Sequence, residues 1–339
     1  MKILVTGGTG FIGSHTVVEL QARGYEVIIV DNLSNSTIDV VDNIARITGI
    51  RPVFEKFDLS DPLTTAAFFQ KHKDLKAMIH FAAFKAVGES VKIPLKYYRN
   101  NLDSLINILQ GMLDHSIEHI VFSSSCTVYG QPVHLPVKED APVQKALSPY
   151  GNTKQISEEI IADVSVTTNI KSILLRYFNP IGAHESAMIG ELPLGIPDNL
   201  IPYITQTAIG KRDYLRVWGN DYPTPDGTAI RDYIHVVDLA RAHVIALERM
   251  LSNRMNKNVE IFNLGTGVGY SVMEVIKSFE KVSGLKLNYR IMERRPGDIV
   301  KVWADTAFAN NELGWKAEKG LDDMMLSAWN WEKALAAKS

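Results

Sequence analysis

Short apolar runs alternate with longer amphipathic segments through the first half of the chain, and this alternation limits the possible folds more than any other feature. The short runs predict buried strands, and the longer segments have the spacing of helices. Because each helix must cross the sheet to reach the next strand, the pattern favours a parallel sheet with helices on both faces. The predicted strands are Ile3–Thr6, Glu26–Val30, Val53–Phe57, Ala77–Phe81, Ile117–Phe122 and Ser172–Tyr177. The predicted helices are Phe11–Arg23, Pro62–His72, Leu95–His115 and Pro149–Thr168.

The pattern changes in the second half, where prolines and glycines interrupt it between about residues 180 and 230. It returns with predicted helices at Val236–Met250, Ser271–Val282 and Leu321–Ala336 and with a strand at Glu260–Leu264. We predict an α/β fold in which a doubly wound parallel sheet of the Rossmann type carries a smaller C-terminal α/β domain. The first domain would span residues 1–179, with 234–265 returning to it, and the second would span 180–233 and 266–339.

Composition limits the class of protein. A net charge of −2 gives no overall attraction to nucleic acid or to an anionic membrane. No apolar run approaches the roughly 20 residues that span a bilayer, and the first apolar run is too short for a secretory signal. Cys126 is the only cysteine, so an intrachain disulfide is impossible and a reducing compartment is favoured. We expect a cytoplasmic globular protein with no nucleic-acid partner, no membrane partner and no metal.

Three glycines between the first predicted strand and the first predicted helix indicate a dinucleotide site. The spacing Gly7-x-x-Gly10-x-x-Gly13 supplies a tight turn, close approach to a pyrophosphate and close helix packing. The anion would meet the helix amides, where the dipole is positive. Asp31 closes the second strand, where a carboxylate binds both ribose hydroxyls and favours NAD over NADP. Asp58, which closes the third strand, could accept from the adenine amino group; each aspartate also fits an ordinary turn.

A serine, a tyrosine and a lysine indicate proton-transfer chemistry at the same end of the sheet. Tyr150 and Lys154 share one face of a predicted helix, and Ser125 ends the fifth strand, whose carboxyl end points to the ligand crevice. A phenol has a pKa near 10, and lowering it to about 7 costs about 4 kcal/mol. The lysine cation and a bound nicotinamide cation could supply that energy. Taken alone, such a tyrosine–lysine pair is more often an ordinary helix surface pair.

Beyond these motifs, the sequence resembles the extended short-chain dehydrogenase/reductases, and within them the nucleotide-sugar 4-epimerases, over nearly its whole length. The stretches that carry the resemblance are Val5–His15, Asp31–Ser36, His80–Ser90, Ser123–Gly130, Ser148–Lys154, Arg176–Pro180 and Gly227–Val236. It implies interconversion of UDP-glucose and UDP-galactose with a tightly held NAD that is not consumed. Tyr150 would take the proton of the sugar 4-hydroxyl as hydride leaves C4. The 4-keto sugar would then turn over and be reduced again from its other face.

The resemblance also implies roles for particular residues. Lys154 would lower the tyrosine pKa and bind the nicotinamide ribose, and Ser125 would assist at the 4-oxygen. The implied NAD site comprises Gly7, Gly10, Phe11, Ile12, Gly13, Asp31, Asn32, Leu33, Ser34, Asn35, Ser36, Asp58, Leu59, Phe81, Ala82, Ala83, Phe84, Lys85, Asn100, Ser125, Tyr150, Lys154 and Phe178. The implied UDP-sugar site comprises Lys85, Ser125, Tyr150, Asn179, Asn199, Leu200, Trp218, Arg231, Arg295, Asp298 and Val302.

On chemistry alone, the residues of the implied UDP-sugar site are less specific. Arg231 and Arg295 suit a diphosphate because a guanidinium binds phosphate bidentately, but each also fits a solvated surface position. Asn179 equally fits a turn before Pro180, and Trp218 equally fits a core. The family forms a homodimer through the segments predicted as Leu95–His115 and Pro149–Thr168, although a helix stripe is more often plain core.

Three positions depart from the family pattern. Phe11 replaces a frequent tyrosine, which should be harmless because the backbone binds there, and Cys126 replaces a small residue and is expected to be buried rather than nucleophilic. Val302 stands where some members carry a bulky tyrosine, and this leaves volume for an N-acetyl group, so UDP-N-acetylglucosamine and UDP-N-acetylgalactosamine become possible substrates.

Three other functions remain open. A 4,6-dehydratase would need an Asp-Glu pair after its active-site threonine, whereas Val128 and Tyr129 follow Thr127. A reductase would release its nucleotide in each turnover. A non-catalytic NAD-sensing protein would not need Ser125, Tyr150 and Lys154 together.

Overall fold

A computed structural model of the chain describes residues 1–295 and 298–338; Pro296, Gly297 and Ser339, which belong to the second predicted domain, lie outside them. The described strands are β1 (Lys2–Thr6), β2 (Glu26–Asp31), β3 (Val53–Lys56), β4 (Leu75–His80), β5 (His119–Ser123), β6 (Lys171–Tyr177), β7 (Asn179–Ile181), β8 (Leu215–Trp218), β9 (Ile230–His235), β10 (Val259–Leu264), β11 (Gly269–Ser271), β12 (Tyr289–Met292) and β13 (Lys301–Val302). The α-helices are α1 (Phe11–Ala22), α2 (Asp39–Thr48), α3 (Pro62–Lys71), α4 (Val87–Lys92), α5 (Pro94–Tyr98), α6 (Ser104–Asp114), α7 (Pro149–Thr167), α8 (Leu200–Ala208), α9 (Val236–Leu251), α10 (Val272–Ser283) and α11 (Leu321–Ala336).

Seven strands form the main sheet in the order β10-β6-β5-β4-β1-β2-β3. All of its pairings are parallel, and the order reverses direction at β1, as in a doubly wound sheet. The predicted Rossmann-type α/β fold is confirmed. The carboxyl ends of β1, β2, β4 and β5 therefore open onto one edge, where the predicted site residues follow them.

Side-chain alternation along the strands divides the core into two layers. Ile3 and Val5 of β1 pack on one face with residues of α1, α2 and α9, whereas Leu4 packs on the other face with residues of α3, α6 and α7. Capping residues start two of these helices as expected. Asp61 accepts from the Leu63 amide at 3.1 Å, and Ser148 accepts from the Gly151 amide at 3.1 Å, with proline at the next position in each case.

A smaller lobe with its own core follows the main sheet. Strand β9 pairs with β7, β11 and β13, and β8 pairs with β12. Helices α8, α10 and α11 pack over these strands around Ile204, Phe279 and Met325. Strand β10 lies in the main sheet next to β6, and α9 packs against α1. The domain boundaries themselves stay a prediction.

The long helix predicted at Leu95–His115 is confirmed as one continuous helical run, but it contains a local change of pitch that was not predicted. The segment is α5, a wider π-helical turn at Arg99–Asp103, and then α6. Asn101 lies in the wide turn, and its side chain accepts from the Phe84 amide at 2.8 Å and donates to Thr153 at 3.0 Å. A π turn often occurs where a side chain is directed to such a site.

Several elements escaped the pattern analysis. Helix α2 was not predicted, and the segment from 180 to 230 contains β8 and α8 although its regular alternation is lost. Strand β3 ends at Lys56, so Asp58 lies two residues beyond it rather than closing it. Within residues 1–295 and 298–338, no helix has the length and apolar content needed to cross a membrane.

Candidate active site

The glycine loop joins β1 to α1 at the centre of the main sheet. Gly7 has a φ of +66°, a left-handed conformation that favours glycine. A Cβ on Gly13 would lie 2.3 Å from the Gly7 carbonyl oxygen, so only glycine lets the helix approach the loop this closely. Gly10 is the N-cap of α1 and offers no side-chain cap to the first helical amides, which include those of Phe11 and Ile12. These amides remain available to an anion.

Asp31 lies against this loop at the end of β2. Its carboxylate is 7% exposed, and it accepts from the Leu33 amide at 2.9 Å and from the Thr9 amide at 3.2 Å. Ser36, whose hydroxyl is 2.6 Å from that of Thr9, closes the same corner. The predicted residue set from Asp31 to Ser36 is thus brought beside the glycine loop, with Ser34 and Asn35 exposed.

Asp58 lies on the other side of this corner. Asn32 donates to it at 3.1 Å, and Ser60 donates its hydroxyl at 2.7 Å. Burial alone would raise the pKa of Asp58, but these hydrogen bonds outweigh burial and lower the pKa. Leu59 differs from the prediction, because its side chain packs in the core and its carbonyl oxygen accepts from Asn107 at 2.9 Å.

The loop after β4 forms a second wall. A Cβ on Gly7 would lie 2.9 Å from the Ala82 nitrogen, so residues Phe81 to Lys85 begin in contact with the glycine loop. Asn101 holds Phe84 through both of its backbone groups, and Asn100 donates to Asn101 at 2.9 Å. This network brings Asn100 to the same wall.

Ser125, Tyr150 and Lys154 are all buried and lie together at the carboxyl end of β5. Ser125 accepts from the Thr127 amide at 3.2 Å, and its hydroxyl lies near enough to the Tyr150 phenol to lower the pKa of that phenol. Lys154 donates to the Ser123 carbonyl at 2.6 Å, and its ammonium lies 4.7 Å from the centre of the Phe122 ring. The structure therefore assembles the three predicted catalytic side chains around the end of one strand.

The pKa values of this group follow from burial. Burial raises the pKa of Tyr150, Tyr177 raises it further, and the hydrogen bond with Ser125 lowers it. Burial also lowers the pKa of Lys154 to about 8, against a raising effect of Glu158. The low tyrosine pKa argued from the sequence is thus not a property of the protein alone, and additional positive charge is needed for a phenolate at neutral pH.

A supporting network behind the three residues was missed by sequence reasoning. Tyr177 lies 2.5 Å from the Ser123 hydroxyl, and Glu158 forms a buried ion pair with Arg176 at 2.6 Å and accepts from Ser124. Glu158 lies one helical turn after Lys154, and this spacing is the one signal in the sequence that could have pointed to it.

The smaller lobe supplies most residues of the implied UDP-sugar site. Arg231 on β9 lies directly opposite Val302 on β13. Arg295 lies 5.7 Å from the centre of the Trp218 ring and donates to Asp298 at 3.0 Å. Asn179 donates to the Asp232 carbonyl at 3.0 Å, which ties β7 to β9.

Cys126 lies between the group of Ser125, Tyr150 and Lys154 and the residues of the implied UDP-sugar site around Arg231. It immediately follows Ser125, and the charge of Arg231 acts on its thiol. Burial of the thiol raises its pKa to about 12, so it is a poor nucleophile as expected, although the residue as a whole is only half-buried. Cys126, Val302 and Phe178 belong to one apolar cluster between the main sheet and the smaller lobe.

Lys85 and Asn199 meet at a residue that was not predicted. Lys85 donates to Glu191 at 3.1 Å and Asn199 donates to the same carboxylate oxygen at 2.6 Å. Leu200 follows as the first residue of α8. Asp232 was also missed: this fully buried carboxylate accepts from Thr266, Gly267 and Ala304 and thereby holds the loops around β9.

The geometry fits a dinucleotide. A glycine loop that tolerates no Cβ, free helix amides and a buried carboxylate on the neighbouring strand are the groups that bind pyrophosphate and ribose. Within the described part of the chain, no group of three or more His, Cys, Asp or Glu side chains could hold a metal ion.

The comparisons with known proteins agree with this geometry. A family model described as GDP-mannose 4,6 dehydratase matches residues 4–327. The chain is 52% identical over 335 residues to UDP-glucose 4-epimerase of Bacillus subtilis (strain 168), covering 98% of this chain and 97% of that protein.

Two crystal structures extend the comparison. UDP-glucose-4-epimerase from Stenotrophomonas maltophila, with bound NAD and formylated UDP-arabinopyranose, has a TM-score of 0.96 and 49% identity, with both chains fully covered. The enzyme from Bifidobacterium longum, in complex with NAD+ and UDP, has a TM-score of 0.93 and 47% identity over 98% of each chain. The chain belongs to the UDP-glucose 4-epimerase family of the extended short-chain dehydrogenase/reductases.

Proposed function

We propose that this protein interconverts UDP-glucose and UDP-galactose with a tightly held NAD. The observation that carries the proposal is the burial of Ser125, Tyr150 and Lys154 together at the carboxyl end of β5, at the same edge of the sheet as the glycine loop and Asp31. The full-length relatives named above, two of them crystallised with NAD, support the same activity.

Each residue of the site has a distinct role in the proposed reaction. NAD, when bound, would supply a reversible hydride acceptor for C4 of the sugar and a positive charge. Tyr150 removes the proton from the 4-hydroxyl and later returns it, while Ser125 forms a hydrogen bond with the same oxygen. Lys154 adds positive charge behind the tyrosine. Arg231 and Arg295 hold the diphosphate, so the keto sugar turns over without leaving.

The residues that we assign to NAD are those of the glycine loop, the corner at Asp31 and the wall after β4. Asp31 would bind the adenosine ribose and the amides of Phe11 and Ile12 the pyrophosphate, and the resemblance to the family adds Asn100 and Phe178 to the same site. Leu59 contributes through its backbone only, since its side chain is in the core.

The direct experiment is an assay of interconversion by purified protein, with Tyr150→Phe as the comparison. Wild type should convert each UDP-hexose to the other, and Tyr150→Phe should lose at least about a hundredfold in kcat, in line with loss of a general base. The variant should still retain NAD. Loss of NAD together with activity would show that the tyrosine is structural, and inactive wild type would contradict the proposal.

A 4,6-dehydratase remains disfavoured by the same site. Val128 and Tyr129, which follow Thr127, are both buried, and the Tyr129 hydroxyl donates to Asn263 at 2.7 Å. Neither residue offers the carboxylic acid and carboxylate that elimination of water from the sugar requires.

We extend the substrate range to UDP-N-acetylhexosamines because of Val302. It packs against Phe178 and Cys126 beside Arg231, and valine leaves more volume there than tyrosine would. Wild type should turn over UDP-N-acetylglucosamine, and Val302→Tyr should lose this activity while keeping that on UDP-glucose. An absence of N-acetyl turnover in both proteins would contradict the extension.

We further propose that the protein is a cytoplasmic homodimer. Val91 on α4 and Leu95 on α5 are 61% and 70% exposed, and both helices pack beside α7. Exposed apolar side chains on adjoining helices suit a second copy of the chain. Sedimentation should give twice the chain mass of 37.8 kDa, and a monomer at micromolar concentration would contradict this. The single cysteine supports a reducing compartment.

A further inference from the structure

One carboxylate oxygen takes hydrogen bonds from both sides of the cleft. Glu191 Oε1 accepts from Lys85 Nζ at 3.1 Å and from Asn199 Nδ2 at 2.6 Å. Lys85 belongs to the wall that follows β4 of the main sheet, whereas Asn199 caps the start of α8 in the smaller lobe. Glu191 is therefore a direct link between the two parts of the protein that must meet at the sugar.

The backbone of Glu191 is fixed by the C-terminal helix. Trp331 on α11 donates its indole N–H to the Glu191 carbonyl at 2.9 Å. A Cβ on the preceding residue, Gly190, would lie 2.6 Å from the Trp331 ring, so the ring packs directly on this backbone. The backbone that carries the Glu191 carboxylate is thus held in place by Trp331.

The ion pair between Glu191 and Lys85 orients the lysine side chain more than it stabilises the folded protein. The Lys85 side chain is 55% exposed, and pairs of this kind contribute little to folding because water screens them and side-chain entropy opposes them. The Glu191 side chain is only 12% exposed, so its position is well defined. Such a carboxylate restricts the flexible four-carbon chain of a lysine to one direction.

We propose that Glu191 is a positioning residue that holds Lys85 and Asn199 in place for the UDP-sugar. This rests on the proposed function and on the implied UDP-sugar site, to which Lys85 and Asn199 both belong. Lys85 retains a charge that can reach the sugar or a phosphate, and Asn199 retains a second amide hydrogen. Both donors are ordered before the substrate arrives, which reduces the entropy lost on binding.

The test is a double-mutant cycle on Glu191→Gln and Lys85→Met. Glutamine keeps an oxygen for Asn199 but removes the charge that orients Lys85. Calorimetry with UDP-glucose gives the dissociation constant without requiring turnover, and the interconversion assay gives kcat and KM. Glu191→Gln should weaken binding and lower kcat/KM about tenfold, as expected for a misplaced contact. The double variant should lose no more than Lys85→Met alone, because Glu191 acts through that lysine.

Glu280→Gln is the matched control. Glu280 pairs with Lys286 at 2.8 Å and accepts from the Leu287 amide at 3.0 Å, on α10 and outside the proposed site. It should leave binding and kinetics unchanged. The inference is overturned if Glu191→Gln behaves like wild type, or if its KM falls at constant kcat, since Glu191 would then compete with the substrate. It is also overturned if the loss of affinity in the double variant equals the product of the losses in Glu191→Gln and Lys85→Met, because the two residues would then act independently. Wild type that binds UDP-glucose without converting it would refute the proposed function alone, and the binding cycle would still decide the role of Glu191.

Discussion

Tyr150 and Lys154 show how burial acts on an acid and a base in one site. Desolvation disfavours the charged form of each, so it raises the pKa of the phenol and lowers that of the ammonium to about 8. The chain alone therefore holds Tyr150 as a neutral phenol. A base at this position therefore depends on positive charge that arrives with a ligand.

Asp31 gives the sharpest prediction at the scale of one residue. Replacing it with asparagine removes the charge that would bind the ribose, and charged hydrogen bonds are worth about 1.5–3 kcal/mol, or ten- to a hundredfold in affinity. Asp31→Asn protein should lose bound nucleotide during purification, as measured by absorbance after denaturation. Asp61→Asn, at the N-cap of α3, should keep it. Equal nucleotide content in Asp31→Asn and wild type would contradict the assignment.

Some residues of the site could be identified from the sequence, and others could not. Ser125, Tyr150 and Lys154 follow from strand ends and helical spacing, which are local patterns. Glu191 meets Lys85 across 106 positions of the chain, and Asp232 accepts from backbone amides of distant loops, so no local spacing announces either. The contact of Glu191 with Lys85 exists only once the two lobes are packed together, and those of Asp232 only once the smaller lobe has folded.

At the scale of elements, the junction of β1 with α1 is the most constrained part of the fold. Gly13→Ala would place a methyl group 2.3 Å from a backbone oxygen that cannot move without displacing the loop. Overpacking of this kind costs roughly 1–3 kcal/mol, and we expect a lower melting temperature together with loss of bound nucleotide. Gly88→Ala, on α4 with open space around it, should be neutral or slightly stabilising. An unchanged melting temperature for Gly13→Ala would contradict the close approach.

The elements show where pattern analysis fails. Helical spacing identified α1, α3, α7 and α9 within a few residues, because each is a single helix with apolar residues recurring at that spacing. It identified the continuous helix that runs through α5 and α6 but not the π turn inside it, since the turn coincides with the hydrogen bonds of Asn101 and not with a change in periodicity. The irregular segment before β9 gave no signal, because its strands are only three or four residues long.

For the whole molecule, four buried histidines predict sensitivity to acid. Burial lowers the pKa of His15, His80 and His235 to about 3 and that of His243 to about 4. Their pKa in the unfolded chain is near 6.5. The folded state thus binds fewer protons between these values, and the stability that the neutral rings contribute is present above pH 6.5 and lost as the pH falls below it.

Unfolding at pH 5.5 should therefore take up roughly three to four protons on these histidines. Urea denaturation across the range from pH 7.5 to pH 5 should show a steep fall in the free energy of unfolding. Replacing His243 with glutamine should reduce the slope by about one proton. A free energy of unfolding that stays constant over this range would contradict the burial of neutral rings.

In the proposed reaction, the hydride removed from C4 returns to C4 of the same sugar through a nucleotide that never leaves. The most direct measurement follows deuterium placed at C4 of UDP-glucose, with purified protein and no added nucleotide. The UDP-galactose formed should carry the deuterium at C4, with none in water and none on NAD added afterwards. Deuterium that appears in the solvent, or that moves to nucleotide in the medium, would contradict it.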